Sequence, residues 1–325
     1  MQTFSSIHQQ LAPELERMND IIRRTLHTSN PLMNSVVTNY LRTKGKQIRP
    51  MLVILSARFF GEVNDAVLHA GAALEMLHNA SLIHDDVVDN TELRRGLPTI
   101  NAVEGNHIAV LVGDFFVSNA LAAGIATGHL QVISALSALG KELSIGEIDQ
   151  ISNVREHNFD EESYIAMIRK KTASLFINCV DMGATTVGAT PQQIEPLKRY
   201  AELLGLCFQI RDDIFDYFDD PNIGKPTGND LREGKVTLPL LYALNNAPDV
   251  ALRDKYKDIL RRDDLDEEMI QQLIMFAREN GGIEYACDTM RTMQRRAAEI
   301  LTVYPDTRWR QAFEDLFEFI ISRQH

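Results

Sequence analysis

A chain of 325 residues with 45% hydrophobic and 24% charged side chains has enough apolar material for a large packed core. Its formal net charge of −12 excludes nucleic acid as a general partner, because a phosphate backbone demands clustered Lys and Arg. Cys179, Cys207 and Cys287 are too few and too scattered for a disulfide frame or a zinc site, which fits a reducing compartment. The N-terminus, Met1 to Ser6, shows no basic region followed by an apolar core. No run approaches the roughly 20 apolar residues of a membrane span. These features predict a cytoplasmic protein with no membrane span.

Helix signals dominate, and neither hairpin patterns nor strand alternation persist. Ile7, Leu11, Leu15, Met18, Ile22 and Leu26 recur at helical spacing, so residues 5–26 read as the first helix. Asn30-Pro31 looks like a cap with proline at the first helical position, and that helix should end near Thr43-Lys44-Gly45. Pro50 opens another helix, ending near Gly61. Asn64 to Asn90 reads as one long helix, followed by a loop with Arg94-Arg95-Gly96-Leu97-Pro98. Residues 103–124 and 129–152 are predicted helical. Asp160 is the expected cap of a helix running to about Met182, and Thr190-Pro191 opens the next. A loop rich in Gly, Pro and Lys spans Asp219 to Gly234. Helices are expected again at 236–245, 250–262, 266–280, 283–303 and 307–323. Ser322 to His325 reads as a frayed end. No linker or low-complexity tract divides the chain, so it reads as one all-α domain, residues 1–325, of ten or more helices.

Two short stretches break the apolar pattern. Asp85, Asp86 and Asp89 sit among Leu82, Ile83, Val87 and Val88. On a helix, Asp85 and Asp89 are i,i+4 neighbours, and like charges so placed destabilise it by roughly 0.2–0.5 kcal/mol. An apolar wall beside them raises that cost unless a cation compensates. The spacing recurs 127 residues later in Asp212, Asp213 and Asp216, flanked by Ile210, Ile214 and Phe215. One copy alone reads as a solvated acidic face; two copies, each inside an apolar run, point to metal. Mg²⁺ takes oxygen ligands and typically combines one or two carboxylates with water and substrate phosphate oxygens. Phosphate also needs cations. The chain supplies them in runs: Lys44/Lys46/Arg49, Arg94/Arg95, Arg169/Lys170/Lys171, and Lys225 with Lys235.

These residues resemble the trans-isoprenyl (polyprenyl) diphosphate synthase family. Asp85-Asp86-x-x-Asp89-x-x-x-x-Arg94-Arg95-Gly96 is similar to its first aspartate motif, and Phe208-Gln209-x-x-Asp212-Asp213-x-x-Asp216 to its second. Gly45-Lys46-x-x-Arg49-Pro50, Gly113-Asp114, Lys171-Thr172-Ala173, and Gly224-Lys225 through Pro239 also fit. Lys44 stands where glycine is common, and Gln47 where arginine is common. The resemblance implies an isoprenoid synthase fold, a helix bundle around a deep central cavity. It also implies a homodimer. The six aspartates, Asp85, Asp86, Asp89, Asp212, Asp213 and Asp216, would hold Mg²⁺, three ions, around an allylic diphosphate, with Asp85, Asp89 and Asp212 the closest ligands. Arg94, Lys171, Lys225 and Lys235 would grip that diphosphate. Lys46, Arg49, His78 and Arg95 would bind isopentenyl diphosphate. Thr172 and Gln209 would place oxygen dipoles beside the allyl cation. Asp85, Asp89, Arg94, Lys171, Thr172, Gln209, Asp212 and Lys225 are thus the expected catalytic set. His84 reads as a core or capping residue.

Products of this family differ in length, and the physical control is the depth of an apolar tunnel below the first motif. Ala80 and Ser81, one turn before Asp85, are both small. Short-chain members usually place an aromatic there. The tunnel should continue another turn, roughly 5.4 Å, to Leu77 and Met76, with the small residues of Ala120 to Gly124 facing it. A long-chain product is expected, octaprenyl at the centre of a hexaprenyl-to-decaprenyl range, built on farnesyl diphosphate for quinone side chains. Shorter-chain synthesis, to farnesyl or geranylgeranyl, is the alternative. A histidine-aspartate phosphohydrolase, suggested by His84-Asp85, leaves the second motif and Lys235 unexplained. A terpene cyclase has no need of Lys46, Arg49 and Arg95. A regulatory subunit of a two-chain synthase would tend to lack one acidic motif.

Overall fold

The computed structural model describes residues 3–42, 45–94, 96–218, 227–262 and 264–323. Lys44, Arg95, Lys225, Gln324 and His325 lie outside them. Among the described residues the chain is all-α, with sixteen α-helices and one minimal hairpin. In chain order the first helices are α1 Phe4–Thr25, α2 Pro31–Tyr40, α3 Ile48–Phe60 and α4 Asp65–Val88. Strands β1 Leu93–Arg94 and β2 Leu97–Pro98 pair antiparallel, Leu93 opposite Pro98 and Arg94 opposite Leu97. Then come α5 Ile100–Glu104, α6 Asn106–Ala126, α7 Leu130–Arg155, α8 Glu161–Ile168, α9 Ser174–Thr185 and α10 Pro191–Phe215. The last six are α11 Asn229–Arg232, α12 Leu238–Asn246, α13 Val250–Leu260, α14 Glu267–Glu279, α15 Gly282–Leu301 and α16 Arg308–Ser322.

The helix starts follow local chemistry. The side chains of Asn30, Asn64, Asp160, Asp249 and Asp266 each accept from a backbone N–H three residues on, satisfying a donor that the helix leaves without an intrahelical partner. Three expected helices change, and the loop expected from Asp219 to Gly234 contains the short helix α11. α3 begins at Ile48, two residues before Pro50, because Gln47 adopts a left-handed backbone (φ 54°) that turns the chain into the helix. The helix expected over 103–124 is two helices, separated at Gly105, whose φ of 82° no helix accommodates. The helix expected from Asp160 to Met182 is interrupted by a π-helical turn, Arg169–Ala173.

The packing separates into two compact units. The first comprises 1–141, 175–201 and 300–316. Its centre is α4, which packs along α6 and against α1 and α3. Leu52, Ile54, Leu74, Met76 and Phe116 are fully buried there. α6 is also the one helix, among the described residues, long and apolar enough to cross a membrane by length and composition. That corrects the expectation that no such run exists; 39% of the stretch is buried in the protein. Its exposed apolar residues, Val110, Leu111, Leu121 and Ile125, form a stripe down one side.

The second unit comprises 142–174, 202–299 and 317–325. Here α12 packs against α8, α13 and α14. Tyr217, Leu240, Leu244, Leu273 and Phe276 form its core, with Tyr256 stacked on Phe276 at 4.2 Å.

Candidate active site

The first aspartate motif ends α4. Asp85 and Asp89 are half-buried, and Asp89 is the C-cap, its N–H donating to Asp85 O at 2.8 Å. Asp86 points the other way. It is 3% exposed and accepts from Arg94 Nε at 2.8 Å and Nη2 at 2.7 Å. Burial opposes the charge on Arg94, but the hydrogen bond and charge of Asp86 outweigh it, so the guanidinium is held charged more firmly than usual. Arg94 ends β1 of the hairpin, whose turn at Gly96 (φ 75°) folds the chain back to β2. A pocket of about 310 Å³ opens beside this pair, lined by Tyr40, Asn79, Leu82, Asp86, Arg94 and Leu97. Tyr40 Oη donates to Asn79 Oδ1 at 3.1 Å. Lys46 and Arg49 flank the start of α3; Arg49 lies over the Phe176 ring at 5.2 Å. His78 is 7% exposed on α4.

Upstream on α4, Met76, Leu77 and Ala80 are buried and Ser81 is half-buried, its hydroxyl donating to His78 O at 2.9 Å. Of the small stretch on α6, Ala120, Ala123 and Gly124 are buried while Leu121 and Ala122 are exposed, as a period of 3.6 residues requires. His84 Nε2 lies 3.3 Å from Val110 O and 3.5 Å from Asp114, contacts between two helices that agree with a structural role.

The second motif ends α10. Asp213, 4% exposed, is again the buried member. It accepts from Tyr164 Oη at 2.5 Å and from Gln209 Nε2 at 2.7 Å. Burial pushes its carboxyl up to about 7, the two donors pull down, and the charges of Asp212 and Asp216 push up. Asp216 accepts from the N–H groups of Asn229 at 2.9 Å and Asp230 at 3.0 Å, at the start of α11. Burial, then repulsion from Asp213 and Asp216, raises Asp230 well above the carboxylate range. Asp212 is bonded to Arg323 Nη2 at 2.5 Å. Arg323 is 8% exposed in its side chain, stacks over Phe208 at 4.3 Å and donates to Phe208 O. The expected frayed end is therefore pinned at Arg323, because a guanidinium that stacks and pairs at once loses its freedom.

Lys171 and Thr172 lie in the π-helical turn, an irregularity that concentrates at functional sites. Lys171 Nζ donates to Gln150 Oε1 at 3.0 Å and pairs with Glu147, both on α7. Thr172, 6% exposed, donates to Gln209 Oε1 at 2.7 Å. Lys235 Nζ pairs with Glu233 Oε2 at 2.5 Å. A pocket of about 160 Å³ is lined by Tyr164, Lys171, Thr172, Gln209, Asp213 and Lys235 among others. Within this unit the fold thus gathers five residues that the sequence singles out: Lys171, Thr172, Gln209, Asp213 and Lys235. Tyr164, Glu147 and Asp230 were not among them as functional residues; the signal available for Tyr164 was its place two turns before Lys171, in register with it on a helix face.

The carboxylate oxygens fit a hard divalent cation. Among the described residues, no three His, Cys, Asp or Glu side chains already form a metal cage. The donor set suits an ion held by one or two carboxylates that completes its shell with water and phosphate oxygens, as Mg²⁺ does.

The family model for polyprenyl synthetase matches residues 30–276. The chain belongs to the polyprenyl synthetase family. It is 33% identical over 321 residues to the octaprenyl diphosphate synthase of Escherichia coli K12, covering 98% of each chain. The crystal structure of a polyprenyl synthase from Caulobacter crescentus, complexed with calcium and isoprenyl diphosphate, superposes with a TM-score of 0.93 at 28% identity, over 99% of this chain and 98% of that one. That of a geranylgeranyl pyrophosphate synthase from Bacteroides thetaiotaomicron gives 0.84 at 38% identity, over 98% of each. This polyprenyl synthetase is accordingly a prenyltransferase with the isoprenoid synthase fold.

The π-turn depends on a close approach. A Cβ built on Gly146 of α7 would lie 2.7 Å from Lys171 N and 3.0 Å from its Cα. Gly146→Ala must displace the backbone that carries Lys171 and Thr172. Thermal melts should show a loss of about 1–3 kcal/mol, the range for overpacking. Prenyl transfer should fall more steeply than stability; unchanged turnover would show that the turn tolerates the shift.

Proposed function

We propose that this polyprenyl synthetase is a long-chain, Mg²⁺-dependent trans-polyprenyl diphosphate synthase. It adds isopentenyl diphosphate repeatedly to an allylic primer such as farnesyl diphosphate, to a product near octaprenyl destined for quinone side chains. We read residues 1–325 as one domain, since the boundaries at 141, 201 and 299 fall inside α7, α10 and α15. The likeness to octaprenyl diphosphate synthase supports the length. The observation that carries it is the pair Ala80 and Ser81, small residues where an aromatic floor would stop growth.

Asp85, Asp89 and Asp212 are the proposed metal ligands. Asp86, Asp213 and Asp216 also hold the motifs in shape, through Arg94, through Tyr164 and Gln209, and through two backbone N–H groups, as Arg323 holds Asp212. Three bound Mg²⁺ ions would neutralise the charge of the departing diphosphate. Arg94, Lys171, Lys225 and Lys235 bind the same group, and Lys46, Arg49, His78 and Arg95 bind isopentenyl diphosphate. The allylic C–O bond breaks, and the isopentenyl double bond supplies the electrons for the new C–C bond. The proton then lost goes to the departing diphosphate, the basic group that the reaction itself supplies. Thr172 and Gln209 present oxygen lone pairs to the allyl cation.

The apolar stripe of α6 supports a homodimer, since Val110, Leu111, Leu121 and Ile125 would otherwise face water, and we read the compartment as the cytoplasm.

Purified protein with Mg²⁺, farnesyl diphosphate and labelled isopentenyl diphosphate should give butanol-extractable label, abolished by chelation. Asp85→Ala should lower turnover on the order of 10³-fold, the equivalent of losing a few kcal/mol of charge stabilisation. Phosphate release without elongation would point to a hydrolase instead. Chromatography of the dephosphorylated product sets the length: a C40 chain is expected, and a C20 chain would favour the reading that the Bacteroides likeness suggests. Ala80→Phe should shorten the product to farnesyl or geranylgeranyl; an unaltered length would remove Ala80 from the ruler. Sedimentation should give a dimer, and Leu111→Glu combined with Ile125→Glu should give monomers.

A further inference from the structure

Four side chains of the second unit form one hydrogen-bonded series. Tyr164 Oη donates to Asp213 Oδ2 at 2.5 Å. Asp213 Oδ1 accepts from Gln209 Nε2 at 2.7 Å. Gln209 Oε1 accepts from Thr172 Oγ1 at 2.7 Å. Tyr164, Asp213 and Thr172 are 3%, 4% and 6% exposed, so water does not compete for these groups.

The chemistry of each link fixes the next. An amide has two faces, one that donates and one that accepts. A carboxylate that already accepts from Tyr164 draws the NH₂ side of Gln209 toward it. That leaves Oε1 turned to Thr172. Thr172 has a single hydroxyl hydrogen, and Gln209 takes it. What Thr172 can still present is its lone pairs. A carbocation is stabilised by lone pairs and destabilised by an inward O–H, so the direction of this one hydrogen matters.

We propose that Tyr164 is a positioning residue for the condensation: through Asp213 and Gln209 it sets the hydroxyl of Thr172 with its lone pairs toward the developing allyl cation. The inference rests on the synthase reading above, which places Thr172 and Gln209 beside that cation.

Tyr164→Phe keeps the ring and removes only the donor. Without it Asp213 loses one anchor, Gln209 is free to turn over, and Thr172 can point its hydrogen either way. Outer partners that orient a reacting group typically cost about 10- to 100-fold in activity when removed. The expected result is a kcat lower by at least about tenfold with both KM values unchanged. The deciding measurement is a double-mutant cycle with Thr172→Val, which deletes the hydroxyl at the end of the series. In that background Tyr164→Phe should cost less than about twofold. Equal factors in both backgrounds, or a raised KM with kcat intact, would overturn the proposal, because a merely structural tyrosine acts independently of Thr172. Gln209→Leu breaks the series one link later and serves if Tyr164→Phe folds poorly; its loss must also shrink in the Thr172→Val background. Absence of any condensation by the unaltered chain, measured first, would overturn the synthase reading and this inference together.

Discussion

A carboxylate buried among apolar side chains must be given partners, and much of this structure follows from that. Leaving an ion unpaired in such surroundings costs several kcal/mol. Both aspartate motifs meet the demand in the same way. The middle residue, Asp86 or Asp213, turns inward and accepts from a donor on another segment, Arg94 or Tyr164. The first aspartate of each motif, one residue earlier, projects from another side of the helix. The anchoring segments differ: a two-residue hairpin brings Arg94 to Asp86, while α8 brings Tyr164 to Asp213. Pairing also neutralises charge, which an acidic chain of −12 needs wherever it gathers carboxylates.

The cations are treated likewise. Lys171 is paired with Glu147, Lys235 with Glu233, and Arg94 with Asp86. Each therefore sits in place without substrate, pre-organised rather than searching among rotamers.

Helix existence was legible because periodicity and caps are local: Asn30-Pro31, Asn64 and Asp160 start helices where their chemistry says they should. The break at Gly105 and the π-turn at Arg169–Ala173 were not, because neither alters the apolar period enough to show. The π-turn answers to a tertiary contact, the backbone of Gly146 against Lys171. The pinned Arg323 was missed for a similar reason. Its partners, Asp212 and Phe208, are more than 100 residues away in sequence.

The two D-D-x-x-D motifs, the basic runs and the family they carry were determined by the sequence alone, because the chemistry of a diphosphate requires particular residue types at fixed helical spacing. Small residues at Ala80 and Ser81 were equally plain. Tertiary structure alone decided which partner each aspartate meets. Six carboxylates are equivalent as letters. They become different when Asp86 meets Arg94, Asp213 meets Tyr164 and Gln209, and Asp216 caps α11. Burial and hydrogen-bond direction arise from chain segments far apart in sequence, and no spacing rule contains them.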